Sequence, residues 1–350
     1  MRLLSPTPWI LVIFLAISTV FAYQNRPETG QQDQARQDKY VLWTDPGDVQ
    51  ALDFRYGSGG PENQPQAPFR FIEEDLSGTS PKITVEDGRG ETWNVKWGSE
   101  ARPSTFCSRL VWACGYFVQP EYFVKRGRID GVRDLKRADS HVSDNGSFEN
   151  ARFQLRGDAP EYLSGFHWTW TNNPFVGTPE MQGMKILLLL VSNWDTKKSN
   201  LGIFVDDRTG APRYLYANVD WGASLGKWGN LLTWSRGDCE GFADQTPDFL
   251  KRNSDGSLDW GFNGKHREDI ISDITVSDIR WLLQFLGKIT DDQIRTGLAA
   301  SGNPPRDVEC YARSIRQRIR QLQRVAGEVP SDGSATIDDQ TQSDDQRHDR

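Results

Sequence analysis

The chain has 350 residues, with 41 Lys and Arg against 48 Asp and Glu, a net charge of −7. An acidic balance disfavours a nucleic-acid partner, which needs a basic face, and disfavours docking on anionic membranes. Thirteen Trp and 17 Phe supply apolar bulk for one large domain or two lobes, and four scattered cysteines without a C-x-x-C pair exclude the usual zinc spacings.

The first apolar run, 9–22, has the length of a secretory signal and falls short of the roughly 20 residues a spanning helix needs. Val20 and Ala22 sit at the −3 and −1 positions of a cleavage site after Ala22, and Arg2 is the one early charge. The expectation is an extracytoplasmic protein, periplasmic or secreted, with anchoring by an uncleaved signal as the alternative. Residues 23–39 form a polar, Gln-rich linker. No later segment is apolar enough to span a membrane.

Residues 68–75, 81–87 and 91–98 read as three strands, joined by the small-residue turn LSGTS (76–80) and the tight turn DGRG (87–90). Three acids, Glu73, Glu74 and Asp75, precede the first turn. In the third strand Trp93, Val95 and Trp97 share one face, and Asn94 and Lys96 the other. A strand lysine above a small-residue turn is a layout that clamps the α- and β-phosphates of ATP. The candidate nucleotide-site residues are Lys96, Glu100, Gly78 and Lys82. A helix is expected over 103–114, stopped by Gly115. No carboxylate lies inside it; Glu100, just before it, is the first candidate partner for Lys96, and Glu180 the second.

Residues 118–132 read as strand, turn, strand, and 133–160 as an exposed polar insertion. In FHWTWTNNPFVG (166–177), Trp168 and Trp170 face one side of a strand and His167 its wet edge. Residues 178–192 predict a buried helix with Thr178 as N-cap and Glu180 in its first turn. A polar loop, NWDTKKSN, then carries Asp195, Lys197 and Asn200 in the order Asp-x-Lys-x-x-Asn. Strands over 201–207 and 213–220, with a turn over 208–212, end on Asp220-Trp221-Gly222. Phosphoryl transfer needs a carboxylate for the nucleophile's proton, a cation near the phosphate, and oxygen ligands for a divalent metal. The loop and the strand end, adjacent in a hairpin, carry all of these.

After Gly222 the chain is rich in Gly and Trp, and 253–269 reads as a loop. Helices are expected over 276–288, 290–300 and 306–324. The last carries Ile315, Ile319 and Leu322 on one face and a solvated arginine face. Residues 327–350 form an acidic, disordered tail. Cys107 and Cys114 lie on one helix and read as buried thiols. Cys239 and Cys310 are the favoured disulfide pair in an oxidising compartment.

The order of Lys96 on a third strand, a helix, Asp195-x-Lys197-x-x-Asn200 and Asp220-Trp-Gly222 resembles the protein-kinase-like superfamily over roughly residues 65–325. The chain is more similar to its atypical branch: secreted Golgi kinases, the spore-coat kinase CotH and phosphatidylinositol kinases. The resemblance implies an α+β, two-lobed fold over 40–326, with a small β-rich N-lobe (about 40–165) and a larger, mainly helical C-lobe (about 166–326). It places 166–177 near the hinge, and the segment after Gly222 where an activation segment or substrate platform would lie. It implies Asp195 as catalytic base, Lys197 as the cation on the transferred phosphoryl group, and Asn200 and Asp220 as metal ligands. Lys96 would hold the phosphates. The cofactors would be ATP with Mg²⁺ or Mn²⁺, and the partners a nucleotide and an unidentified hydroxyl acceptor on protein, glycan or lipid. No Ala-Pro-Glu motif follows Asp220. A catalytically inactive kinase-like scaffold and a Trp-rich carbohydrate-binding protein are the alternatives.

Overall fold

A computed structural model of the chain describes residues 39–327, apart from 79, 158, 159 and 209. The expected signal segment, nearly all of the linker, and all of the tail beyond residue 327 lie outside the described residues. Five strands close into a barrel: β2 (Phe69–Glu74), β3 (Lys82–Glu86), β4 (Thr92–Lys96), β5 (Glu121–Asp130) and β6 (Ser147–Leu155). Their order around it is β2-β3-β4-β6-β5, and a short parallel pairing, Phe69 with Ile129 and Arg70 with Asp130, makes the closure. The two-residue period of β4 explains its role. Trp93 and Val95 are fully buried inside, Trp97 just after the strand is 1% exposed, and Lys96 points to the other side.

Two expectations fail in the barrel. Within 118–132 a single long strand, β5 (Glu121–Asp130), replaces the expected two with a turn. The run Lys125-Arg126-Gly127-Arg128 looks turn-like, yet it continues the ladder with β6, and a Cβ at Gly127 would stand 2.5 Å from the Phe148 ring. The supposed insertion over 133–160 contains β6, the strand between β4 and β5. Its polar appearance misleads because Arg152 is buried. Arg152 pairs with Glu121 at 3.0 Å and donates to Ser104 Oγ on the covering helix α1 (Ala101–Ala113). That helix starts two residues before the expected position, and Pro103 sits in its first turn, where no N–H is needed.

A second sheet has the order β1 (Tyr40–Val41), β9 (Arg213–Asn218), β8 (Leu201–Asp206), β7 (Glu161–His167). β8 and β9 form the expected hairpin, with Leu201 opposite Asn218. Trp168 and Trp170 lie just past the end of β7, both buried and packed edge-on at 5.0 Å. They donate to Gly202 O (3.1 Å) and Thr196 O (3.1 Å).

Helix α2 (Pro179–Leu190) begins as expected, with Thr178 capping Met181 N, and is buried on every face from Met181 onward, Gln182 and Lys185 included, because it forms the centre of the helical region. Around and beyond it lie α3 (Cys239–Asp244), α4 (Arg267–Ile271), α5 (Val276–Leu286), α6 (Asp291–Ala300) and α7 (Pro305–Ala326). The stretch read as a loop over 253–269 contains part of a hairpin, β10 (Leu250–Arg252) with β11 (Leu258–Trp260), and the start of α4. The arginine face of α7 is not wholly solvated. Arg318 is fully buried, 3.7 Å from the Phe242 ring centre, and donates to Leu190 O, Ser192 Oγ, Phe242 O and Thr246 Oγ1. Cys239 and Cys310 form a disulfide, and Cys107 and Cys114 are buried thiols. No described helix is long and apolar enough to cross a membrane.

Candidate functional site

The end of β4, the start of α1 and the end of the β8–β9 hairpin meet. Lys96 Nζ stands 3.7 Å from Glu100 Oε2 and 3.8 Å from Asp220 Oδ2. All three side chains are largely shielded, at 18%, 13% and 29% exposure. Glu100, at the N-cap position of α1, is thus the carboxylate partner of Lys96; Glu180 lies in the first turn of α2, where its carbonyl accepts from Tyr116 Oη, and makes no ion pair with Lys96. Glu100 has two further partners, Ser80 Oγ at 2.7 Å from the small-residue turn and the Arg236 guanidinium.

Glycine at 222 is needed for this approach. A Cβ there would lie 2.9 Å from Glu100 Cβ and 3.1 Å from Asp220 Oδ1. Gly222 N donates to that same oxygen at 2.9 Å, so the motif's own backbone aims the Asp220 carboxylate. Trp221 is buried below and donates to Asn218 O at 3.0 Å.

The polar loop is wired to this cluster through Asn193. Its Nδ2 donates to Asp220 O at 3.1 Å, and its Oδ1 accepts from Asp195 N at 3.2 Å. Asn200 closes the circuit: its Nδ2 donates to Asp195 O at 2.7 Å, and its carbonyl accepts from Val219 N at 2.8 Å. The backbones of Asp195, Asn200 and Asp220 are therefore fixed relative to one another by four hydrogen bonds.

The Asp195 carboxylate, 14% exposed, carries two lysines: Lys197 Nζ at 2.7 Å on Oδ2 and Lys265 Nζ at 2.6 Å on Oδ1. Burial alone would raise its pKa, but the hydrogen bonds and charges of the two lysines outweigh burial and hold it below the usual carboxylate range. Lys265 was not foreseen from the sequence. It is docked by its backbone, N to Trp194 O at 2.9 Å and its carbonyl accepting from Thr196 Oγ1. Arg236 and Trp234, from the Gly- and Trp-rich segment, complete the wall. Trp234 stacks on Trp194 at 4.8 Å, and Arg236 lies 5.0 Å over the same ring.

The other two expected nucleotide contacts are placed differently. Lys82 is the cross-strand neighbour of Lys96, but its Nζ engages Asp75 Oδ2 at 2.7 Å and Ser77 Oγ at 2.8 Å. Burial opposes ionisation of Asp75, yet the Lys82 and Ser77 hydrogen bonds bring its pKa down to about 2. Gly78 lies in the turn, and its carbonyl accepts from Arg137. The three acids before the turn also find partners in part. Glu74 accepts from the backbone N–H groups of Lys136, Arg137 and Ala138 at 2.7–2.8 Å. The turn is thereby pinned to the segment before β6.

Among the described residues no group of three or more His, Cys, Asp or Glu side chains clusters to hold a metal. One carboxylate, Asp220, and one amide, Asn200, on adjacent backbone segments give a sparse set of hard oxygen donors. That suits a small divalent cation that keeps water and phosphate oxygens as its other ligands.

No protein-family model matches the chain, and no curated protein matches it. Among solved structures it is similar to the Helicobacter pylori proinflammatory kinase CtkA, at 12% identity and a TM-score of 0.45, over 75% of this chain and 97% of that one. It is also similar to a Shewanella oneidensis MR-1 structure of the toxin–antitoxin system HipA, HipB and its operator DNA, at 11% identity and a TM-score of 0.32, over 76% and 74%. At these scores neither likeness decides the fold or the activity.

Proposed function

We propose that the chain is a two-lobed, protein-kinase-like phosphotransferase that moves the γ-phosphate of ATP to a hydroxyl acceptor, with Mg²⁺ or Mn²⁺. The observation that carries the reading is the junction at Lys96, within 4 Å of both Glu100 and Asp220. In this reading the barrel and α1 form the smaller lobe, and Lys96, oriented by Glu100, binds the α- and β-phosphates. Asn200 and Asp220 would hold the cation, which would neutralise phosphate charge when bound. Asp195 accepts the hydrogen bond of the acceptor hydroxyl and orients it; its low pKa keeps it ionised for that role. Lys197, 43% exposed, is free to swing from Asp195 toward the transferred phosphoryl group.

A second reading, an inactive kinase-like nucleotide binder, is favoured by one feature. Both oxygens of Asp195 are engaged by lysines, which leaves the acceptor to displace one of them. A row of sugar-stacking tryptophans has no such support, because none of the described tryptophans is exposed. Placement outside the cytoplasm is part of the proposal; the Cys239–Cys310 disulfide supports it.

Thermal shift with ATP and Mg²⁺ or Mn²⁺ tests the reading. The native protein should gain about 5 °C at a hundredfold excess over the dissociation constant. Asp220→Ala should lose the metal-dependent part. Absence of any shift in the native protein refutes nucleotide binding; a shift without transfer to any hydroxyl, water included, favours the inactive binder.

A further inference from the structure

A cavity of about 840 Å³ is lined along one edge by residues 97–99 and 101–103, without Lys96 or Glu100. Its size is that of an ordinary small-ligand site. It is lined on one wall by Trp97 and His141, whose rings stack at 5.9 Å with planes 10° apart. Phe123 and Phe148 extend the aromatic lining. The charges are unequal: Asp139, Glu149 and Asp307 line the cavity against Arg102 alone. Glu149 is met by Arg126 at 3.2 Å, whereas neither Asp139 nor Asp307 has an ion-pair partner within 4.0 Å among the described residues. Gly237 lines the cavity beside residues 99 and 103, and a Cβ there would stand 3.1 Å from Ser99 O and 3.4 Å from Pro103 Cγ.

We propose that this cavity is a second ligand site that takes an organic cation. A flat guanidinium or an ammonium group would lie against the half-buried Phe123 ring, whose face attracts cations, with Asp139 and Asp307 as counter-charges. Neither a nucleotide nor an anion suits a lining with three carboxylates. The site is independent of the phosphotransfer reading, since none of its lining residues belongs to the set at Lys96, Asp195, Asn200 and Asp220.

The test uses Ser140→Cys, an exposed lining position. The native thiols Cys107 and Cys114 are buried, so the new thiol is the reactive one. The variant is equilibrated with equal amounts of cystamine and bis(2-hydroxyethyl) disulfide, one cationic and one neutral, and adducts are counted by mass spectrometry. The cationic adduct should be favoured about fivefold, the value of one shielded charge contact of about 1 kcal/mol. The preference should vanish with Asp139→Asn and Asp307→Asn added, and should be absent at a Ser164→Cys control on β7. Agmatine and the peptide acetyl-Gly-Arg-Gly-amide are added as competitors. Protection by agmatine alone assigns a free amine, and protection by the peptide assigns a basic side chain; either supports the site. Equal adducts at Ser140→Cys and Ser164→Cys, or no protection by either competitor, overturns it.

Discussion

Replacing Lys265 with Met separates the two lysines on Asp195. The carboxylate is 14% exposed, and Lys265 Nζ sits 2.6 Å from Oδ1. A hydrogen bond between charged groups contributes about 1.5–3 kcal/mol; Lys265 is 40% exposed, so solvent screening reduces this to about 1–2 kcal/mol. Methionine keeps the length of the stem, and the docking of residue 265 through its backbone to Trp194 is untouched. The loss is therefore charge and hydrogen bond, not packing. The sign with pH follows from the depressed pKa of Asp195. Such a group stabilises the fold above its unfolded value, near 4, and that contribution fades as the pH falls through the lower folded value. In Lys265→Met the folded pKa rises toward the unfolded one, so the variant has less to lose in acid. Urea unfolding should show the variant less stable by about 1–2 kcal/mol at pH 7. The gap should narrow as the pH falls below 4. An equal gap at both pH values, or none at pH 7, would refute the ion-pair account of Asp195.

Two further predictions concern the frame that holds the loop. Cys239 and Cys310 are separated by 71 residues, and closing a loop of that length stabilises the fold by about 4 kcal/mol in the chain-entropy estimate. Cys310→Ser should therefore lower the urea midpoint of the oxidised protein to near that of the reduced native protein; an unchanged midpoint would show that the bond does not form in solution. Arg318→Met leaves Leu190 O, Ser192 Oγ, Phe242 O and Thr246 Oγ1 without their donor. Relief of a buried cation offsets part of that cost, and the hydroxyls can turn to new partners, so the expected loss is about 2–4 kcal/mol. A rise in Tm would mean that burial of the charge outweighs its bonds.

Local patterns in the chain carried much of the site. Alternation in β4 put Lys96 opposite the buried Trp93 and Val95, and the apolar run with its Thr178 cap located α2. The hairpin that brings Asn200 beside Val219 also followed from strand and turn spacing. What escaped were contacts between distant parts of the chain. Lys265 reaches Asp195 across 70 residues and Arg236 reaches Glu100 across 136, with no periodicity to announce either. Charged residues misled wherever burial had made partners for them. Arg152 disguised a central barrel strand as an insertion, and Arg318 passed for a solvated residue because its partners are carbonyls, hydroxyls and ring faces instead of carboxylates. Lys82, a candidate phosphate contact, is held by Asp75, seven residues upstream, a pairing that no periodicity announces.

The central claim is that Lys96, Asn200 and Asp220 share one nucleotide–metal volume. A crystal structure with Mn²⁺ and a non-hydrolysable ATP analogue tests it most directly, because the manganese anomalous signal locates the ion independently of the protein. The account predicts a peak about 2.1–2.3 Å from oxygens of Asn200 and Asp220, with Lys96 Nζ on the α- or β-phosphate. A peak elsewhere, or an analogue bound away from Lys96, contradicts it.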